Sequence, residues 1–176
     1  VSPLTPAVSD RDHASGPADA PITLVEYGDY ECPYCGAAQP VVQALERHFG
    51  DRMRFVFRHF PLTQIHPHAE RAAEAAEAAG AAGKFWPMHE TIFAHQRALR
   101  DDDLRRYATD AGVPGAVIVD ALANHTFEPR VREDFMSGVR SGVNGTPSFF
   151  INDEKYEGPY EYDALRDAID EVLVGG

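Results

Sequence analysis

Three stretches of this chain are rich in β-branched and aromatic residues and read as strands. ITLVEYGDY, 22–30, is β-branched and aromatic on both faces, the pattern of a strand covered on two sides. MRFVFRHF, 53–60, repeats it and stops at Pro61. SFFIN, 148–152, is the third. A turn at Asn152 and Asp153 then leads into KYEGPY, 155–160, where Gly158 and Pro159 suit an edge strand. Between the first two strands the apolar period changes. Ala38, Val41, Val42, Leu45 and Phe49 recur at helical spacing, from a start at Pro33 to a stop at Gly50. Pro40 lacks a backbone donor and predicts a kink in that helix.

Residues 64–140 read as helical throughout. HAERAAEAAEAAGAAG, 68–83, is alanine-rich, which favours helix and permits close packing. A second helix runs from Phe85 to Leu99 with Met88, Ile92 and Phe93 inward. A third starts at Asp101–Asp103, where carboxylates suit a helix N-terminus, and stops at Gly112. Pro114 opens a fourth, carrying Val117, Ile118, Ala121 and Leu122. A fifth, 129–140, places Val131, Phe135 and Val139 on one face. The last helix, 161–173, buries Tyr162, Leu165, Ile169 and Leu173. The first 21 residues hold four prolines and little periodicity, so they predict an extended arm, partly disordered at its tip. The order is strand, helix, strand, five helices, strand, strand, helix. That is an α/β unit interrupted by a helical block.

Composition narrows the function. Apolar residues make up 44% and charged residues 25% of the 176, ordinary for one globular domain. A net charge of −12 opposes nucleic-acid binding and an anionic membrane surface. No apolar run is long enough to span a bilayer. The first residues lack the apolar core of a signal peptide, which favours a cytoplasmic location over export with a leader removed.

The chemistry sits in DYECPYCG, 29–36, which holds the only two cysteines, Cys32 and Cys35. A pair so close closes almost no loop, so it does not serve as a structural staple. At the start of a helix, residues three apart have Cα atoms about 5–5.5 Å apart, inside the disulfide window. Cys32, exposed at the helix start, meets unpaired N–H groups and the positive end of the macrodipole, and its thiolate is favoured. Cys35, one turn in and facing the sheet, stays protonated. One thiolate attacks and the other resolves, which is what thiol–disulfide exchange requires. Pro33 sits where its missing donor matters least. Tyr34 is the exposed residue between the sulfurs. A zinc site would need four ligands, and there is no second CxxC; His59, His66 and His68 cluster in RHFPLTQIHPH but at no finger spacing. No metal is assigned. His89 and His125 read as packing or solvated residues, and Phe85 and Trp86 as anchors of the helical block. Glu26, inside the first strand, either points to an open face with water available or is a buried carboxylate whose pKa rises and which can exchange a proton with Cys35; the second is the reading carried forward. GTPS, 145–148, enters the third strand. By base rate Pro147 is trans, since only about one X–Pro bond in twenty is cis.

DYECPYC after a VEY strand, RHFPL after the second strand, FWPMHETIF in the helical block and GVNGTPSFFIN near the end resemble the DsbA-like branch of the thioredoxin superfamily, from Gly16 to Leu173. The resemblance implies a thioredoxin fold in 16–63 and 141–176, with an all-helical subdomain, 64–140, inserted between the second and third strands, and an arm at 1–15. It implies that Cys32 is the nucleophile, Cys35 the resolving thiol, Glu26 the buried acid and Pro147 a cis-proline beside them. Pro33, Tyr34, Thr146 and Pro147 would then meet the substrate, with Thr146 offering backbone groups to an extended chain. The best-known periplasmic oxidases carry histidine where this chain has Tyr34, and that bears on how oxidising the protein is. The expected activity is exchange of the Cys32–Cys35 disulfide with cysteines of protein substrates, in the oxidising direction. It calls for no external cofactor, a monomer, and a redox partner to reset the cysteines. Two rivals stand beside it: a glutathione-linked enzyme of the glutaredoxin or kappa-transferase type, and a peptide-binding chaperone with incidental cysteines.

Overall fold

The computed structural model describes residues 3–175. In chain order, β1 (His13–Ser15) and β2 (Ile22–Gly28) are followed by α1 (Pro33–Phe49), a 3-10 turn at Gly50–Arg52 and β3 (Met53–His59). Five helices come next: α2 (Ala69–Ala81), α3 (Phe85–Ala94), α4 (Asp101–Asp110), α5 (Gly115–Ala123) and α6 (Glu128–Arg140). The chain then returns to β4 (Ser148–Ile151), β5 (Glu154–Tyr156) and α7 (Tyr162–Gly175). This is an α/β thioredoxin-like core with a helical subdomain inserted between β3 and β4.

The five strands lie in the order β1-β3-β2-β4-β5. β2 and β3 pair in parallel, as the α1 crossover between them requires, and the other pairings are antiparallel. β2 is central, and its side chains divide by parity. Ile22 and Leu24 join the larger core with Phe55 and Phe57 of β3 and with α1 and α7. Val25 and Tyr27 face the opposite side, where they pack with Val56, Phe60, Phe150 and Leu4. Each fully buried Phe or Leu contributes about 1.5–3 kcal/mol, so both sheet faces matter to stability. The β4–β5 hairpin turns on Asn152 and Asp153, at φ 47° and 73°, the two-residue turn with both central residues left-handed that suits sheet twist.

Three expectations change. The arm is not merely extended: Pro3 bridges Glu154, Leu4 is buried, and β1 adds a fifth strand beside β3. Its period was illegible because three residues carry too little pattern. The tip expected to be disordered, residues 1–2, lies outside the described residues. α3 ends at Ala94 rather than Leu99, and a turn there carries Gln96 toward the end of β2. The edge strand keeps only Glu154–Tyr156, because Gly158 and Pro159 leave the ladder. α1 runs on through Pro40 to Phe49 as one element. α2 is the middle of the insertion. Ala72, Ala75, Ala76 and Ala79 are fully buried, and α2 touches α3, α4, α5 and α6, an approach that larger side chains would prevent.

Candidate active site

Cys32 is the N-cap of α1, with extended backbone (φ −71°, ψ 122°) and Pro33 at the first helical position. Its carbonyl accepts the first helical hydrogen bond, from the Gly36 amide at 3.1 Å. The two cysteines are free thiols. Cys32 is 3% exposed, more enclosed than a helix-start residue was expected to be, while Tyr34 is 71% exposed. The walls around Cys32 come from elements remote in sequence, which is why periodicity did not reveal them. The Cys32 pKa is depressed to about 5, chiefly by the hydrogen bond from the Cys35 thiol, with Thr146 and the amides of Cys35 and Tyr34 adding to it. Cys35 shifts the opposite way. Burial, then the bond it gives to Cys32, push its thiol well above the ordinary range. The Asp29 amide donates to the Cys35 sulfur at 3.5 Å.

Glu26 is buried on the core side of β2, paired in register with Phe57. Neither of its oxygens has a hydrogen-bond partner among the described residues. Burial, and then the negative charge of Cys32, raise its pKa to about 8. A Cβ at Gly28 would sit 2.9 Å from a Glu26 oxygen and 2.5 Å from the Phe57 ring, so only glycine fits beside the acid.

The Thr146–Pro147 peptide bond is cis. The base-rate expectation for Pro147 fails here, because tertiary packing rather than local preference sets one X–Pro bond. The Thr146 carbonyl accepts from the Cys32 thiol at 3.7 Å, across 114 residues of chain. Tyr160, half-exposed, lies close enough that charge on either sulfur raises its own pKa, though burial raises it more.

Sequence reasoning missed the groups that hold this corner. The buried carboxylate of Asp29 accepts from the amides of Glu31 and Leu62, each at 2.8 Å, and pairs with His66 at 2.7 Å. Asp29 lies inside the quoted motif, so its place beside Cys32 was a usable signal. Gln96 donates to the carbonyls of Tyr30 at 2.9 Å and Cys32 at 2.8 Å. Gly36 leaves room for it, since a Cβ there would fall 2.1 Å from the Gln96 oxygen. No local pattern pointed to Gln96. The Tyr30 hydroxyl bonds to His89 Nδ1 at 2.8 Å, and burial pushes the His89 pKa well down, so this ring is neutral and packs as expected. The three histidines weighed for zinc face carboxylates: His59 meets Glu77, His66 meets Asp29 and His68 meets Glu31. Trp86 packs on the core and also ties down the arm, its Nε1 donating to the Ala14 carbonyl at 3.2 Å.

A thioredoxin-type sheet with a cysteine pair at the start of its first long helix defines the class of thioredoxin-fold oxidoreductases. A family profile described as thioredoxin matches residues 8–171, and the chain belongs to that family. Its insertion gives it the DsbA-like form of the fold. It is similar to the crystal structure of oxidised BdbD from Bacillus subtilis, with a TM-score of 0.86 and 24% identity over 98% of this chain and 96% of that one. A thioredoxin-like oxidoreductase from Silicibacter pomeroyi superposes with a TM-score of 0.82 at 27% identity, covering 94% of each chain. Among curated relatives, the Na(+)/H(+) antiporter NhaA 1 of Salinispora arenicola is 45% identical over 172 residues, which is 98% of this chain and 26% of that protein. NhaA 3 of Salinispora tropica is also 45% identical, over 94% of this chain and 25% of its own length. The chain thus spans about a quarter of the length of the curated relatives it matches. Among the described residues, no helix is long and apolar enough to cross a membrane.

Proposed function

We propose that this chain exchanges its Cys32–Cys35 disulfide with cysteine pairs of other proteins, in the oxidising direction. The observation that carries the reading is the unequal placement of the two sulfurs: Cys32 caps the start of α1 against the Thr146 loop, and Cys35 is buried one turn in, so that the first is made more acidic and the second less. A substrate thiolate attacks Cys32 Sγ. The bond to Cys35 breaks, and Cys35 leaves with a proton. Glu26, neutral below its raised pKa of about 8, is the group that supplies it. A second substrate thiolate then attacks its own partner sulfur in the mixed disulfide and releases Cys32 as a stabilised thiolate. Two electrons pass from the substrate to the protein, which a redox partner must later reoxidise. In this reading Pro33, Tyr34, Thr146 and Pro147 meet the substrate, with Thr146 offering backbone groups to an extended chain.

Cys35→Ser tests the assignment. Its Cys32 has no internal escape from a mixed disulfide, so covalent adducts with protein substrates accumulate on a non-reducing gel. Cys32→Ser forms none. Adducts through Cys35 would reverse the roles, and glutathione adducts alone would favour the glutathione-linked rival.

The antiporter matches favour a second reading of place rather than of chemistry, in which this redox unit works tethered to a membrane transporter. Adducts of Cys35→Ser with membrane-associated proteins support it; adducts confined to soluble proteins count against it.

A further inference from the structure

Away from the cysteines, the helical insertion carries a buried carboxylate whose cationic neighbours, His125 and Arg71, give it no hydrogen bond. Glu74, on α2, is 1% exposed, and neither of its oxygens has a hydrogen-bond partner among the described residues. Burying such a group alone is costly. It lines an open cavity of about 500 Å³ between α2 and α6, floored by Pro61, Val131 and Phe135. At the rim stand two more potential ligands. His125, on the link between α5 and α6, is exposed and holds a left-handed backbone (φ 49°). Glu128 opens α6.

The distances among these groups are informative. His125 Nδ1 is 3.5 Å from Glu74 Oε1 and 3.4 Å from Glu128 Oε2. Both are too long for a strong charge-assisted hydrogen bond. A tetrahedral ion with bonds of about 2.0–2.1 Å spaces its ligand atoms about 3.4 Å apart. One ligand atom from each residue lies within 4.8 Å of the other two.

We propose that Glu74, His125 and Glu128 form a binding site for a zinc-like divalent transition-metal cation. One imidazole and two carboxylates suit zinc, and three protein ligands leave a fourth position open to the cavity. Arg132 donates to the other oxygen of Glu128 at 2.8 Å, which leaves Oε2 aimed at His125, the role of a supporting group that orients a ligand. The ion would join α2 to the α5–α6 link and give the Glu74 carboxylate the partner it lacks. The site is independent of the cysteine pair and of the proposed exchange reaction.

The test must exclude the thiols, which bind the same metals. The full chain is oxidised to the Cys32–Cys35 disulfide, stripped with chelator and titrated with Zn2+ alone by calorimetry. Wild type is expected to bind one ion and to melt higher with zinc than without. Glu74→Gln and His125→Ala should each weaken binding at least about tenfold, roughly what a tenfold change in Kd means for one lost contact, and abolish the rise in Tm. His125 is exposed, so its substitution keeps the test valid if Glu74→Gln fails to fold. Co2+ gives a second readout: absorption of a nitrogen- and oxygen-ligated ion, without a thiolate charge-transfer band. No binding to the oxidised wild type, or binding that either variant leaves unchanged, overturns the site.

Discussion

The Cys32 sulfur lies 3.7 Å from the carbonyl of Thr146, the residue that enters the cis bond to Pro147. A nucleophile at the start of the first long helix is thereby set against a loop that precedes the third strand of the core. The acidity of Cys32 comes first from the Cys35 thiol and from the first amides of α1, which the helix start supplies, and also from the Thr146 side chain, which only this closure brings in.

The rate of alkylation of Cys32 should therefore titrate with a midpoint near 5, far below a free thiol. Cys35 should stay unreactive at every pH short of unfolding, because it is buried and its thiol is raised. Equal rates for the two sulfurs, measured by mass spectrometry after timed alkylation, would remove the assigned roles.

Glu26 makes a prediction with a sign. Its folded pKa of about 8 lies above its usual 4.5, so the folded state binds the proton more tightly than the unfolded state does. Stability from this group is full below pH 4.5 and falls as pH rises toward 8. Glu26→Gln should thus be more stable than wild type at pH 7, by up to about 3 kcal/mol, with the gain shrinking toward pH 4.5. The same variant should slow the displacement in which Cys35 leaves, and resolution by Cys35 in the reverse direction, more than the second step, in which Cys32 leaves as a thiolate. Urea unfolding across pH and stopped-flow exchange check the two halves separately.

Gln96 is a positioning residue. Gln96→Ala removes two donors from the carbonyls of Tyr30 and Cys32, a loss of about 1–2 kcal/mol, and should change the Cys32 titration midpoint by loosening the start of α1. Gly36→Ala is the independent check. Its methyl would meet the Gln96 oxygen and displace the same amide, so it should reproduce the change in midpoint although alanine itself favours helix. A Gln96→Ala protein that is less stable but keeps the Cys32 midpoint would make Gln96 merely structural.

The reduction potential follows from the thiolate. At pH 7, a pKa of about 5 favours the Cys32 thiolate over its thiol by about 2.7 kcal/mol. That free energy is lost when the disulfide forms, so it makes the protein more oxidising by roughly 60 mV. Starting from about −270 mV for thioredoxin, the expected value lies near about −200 mV, short of DsbA at about −120 mV. Tyr34 stands where the stronger oxidases have histidine, one fewer donor to the sulfur. Equilibration against defined glutathione ratios measures it, and the disulfide form should unfold at modestly lower urea than the dithiol. A potential near thioredoxin's, with the disulfide form the more stable, would make the chain a reductase.

Local pattern in the sequence determined the order of the core elements and the five inserted helices, because apolar periodicity is set by what each element buries. It also placed Cys32 and Cys35 at a helix start, a matter of spacing and of Pro33. Glu26 was legible as a charge in an apolar strand. Tertiary structure alone decided the rest. β1 exists only because β3 offers it an edge. Pro147 is cis against its base rate, in the loop that approaches Cys32. Gln96 reaches the active-site corner from a turn more than sixty residues away, at the end of a helix that sequence extended too far. Asp29 and Glu74 look alike as acidic letters. Asp29 has three hydrogen-bond partners and Glu74 has none, and a pattern of residues cannot tell them apart, since hydrogen-bond partners are brought together by the fold.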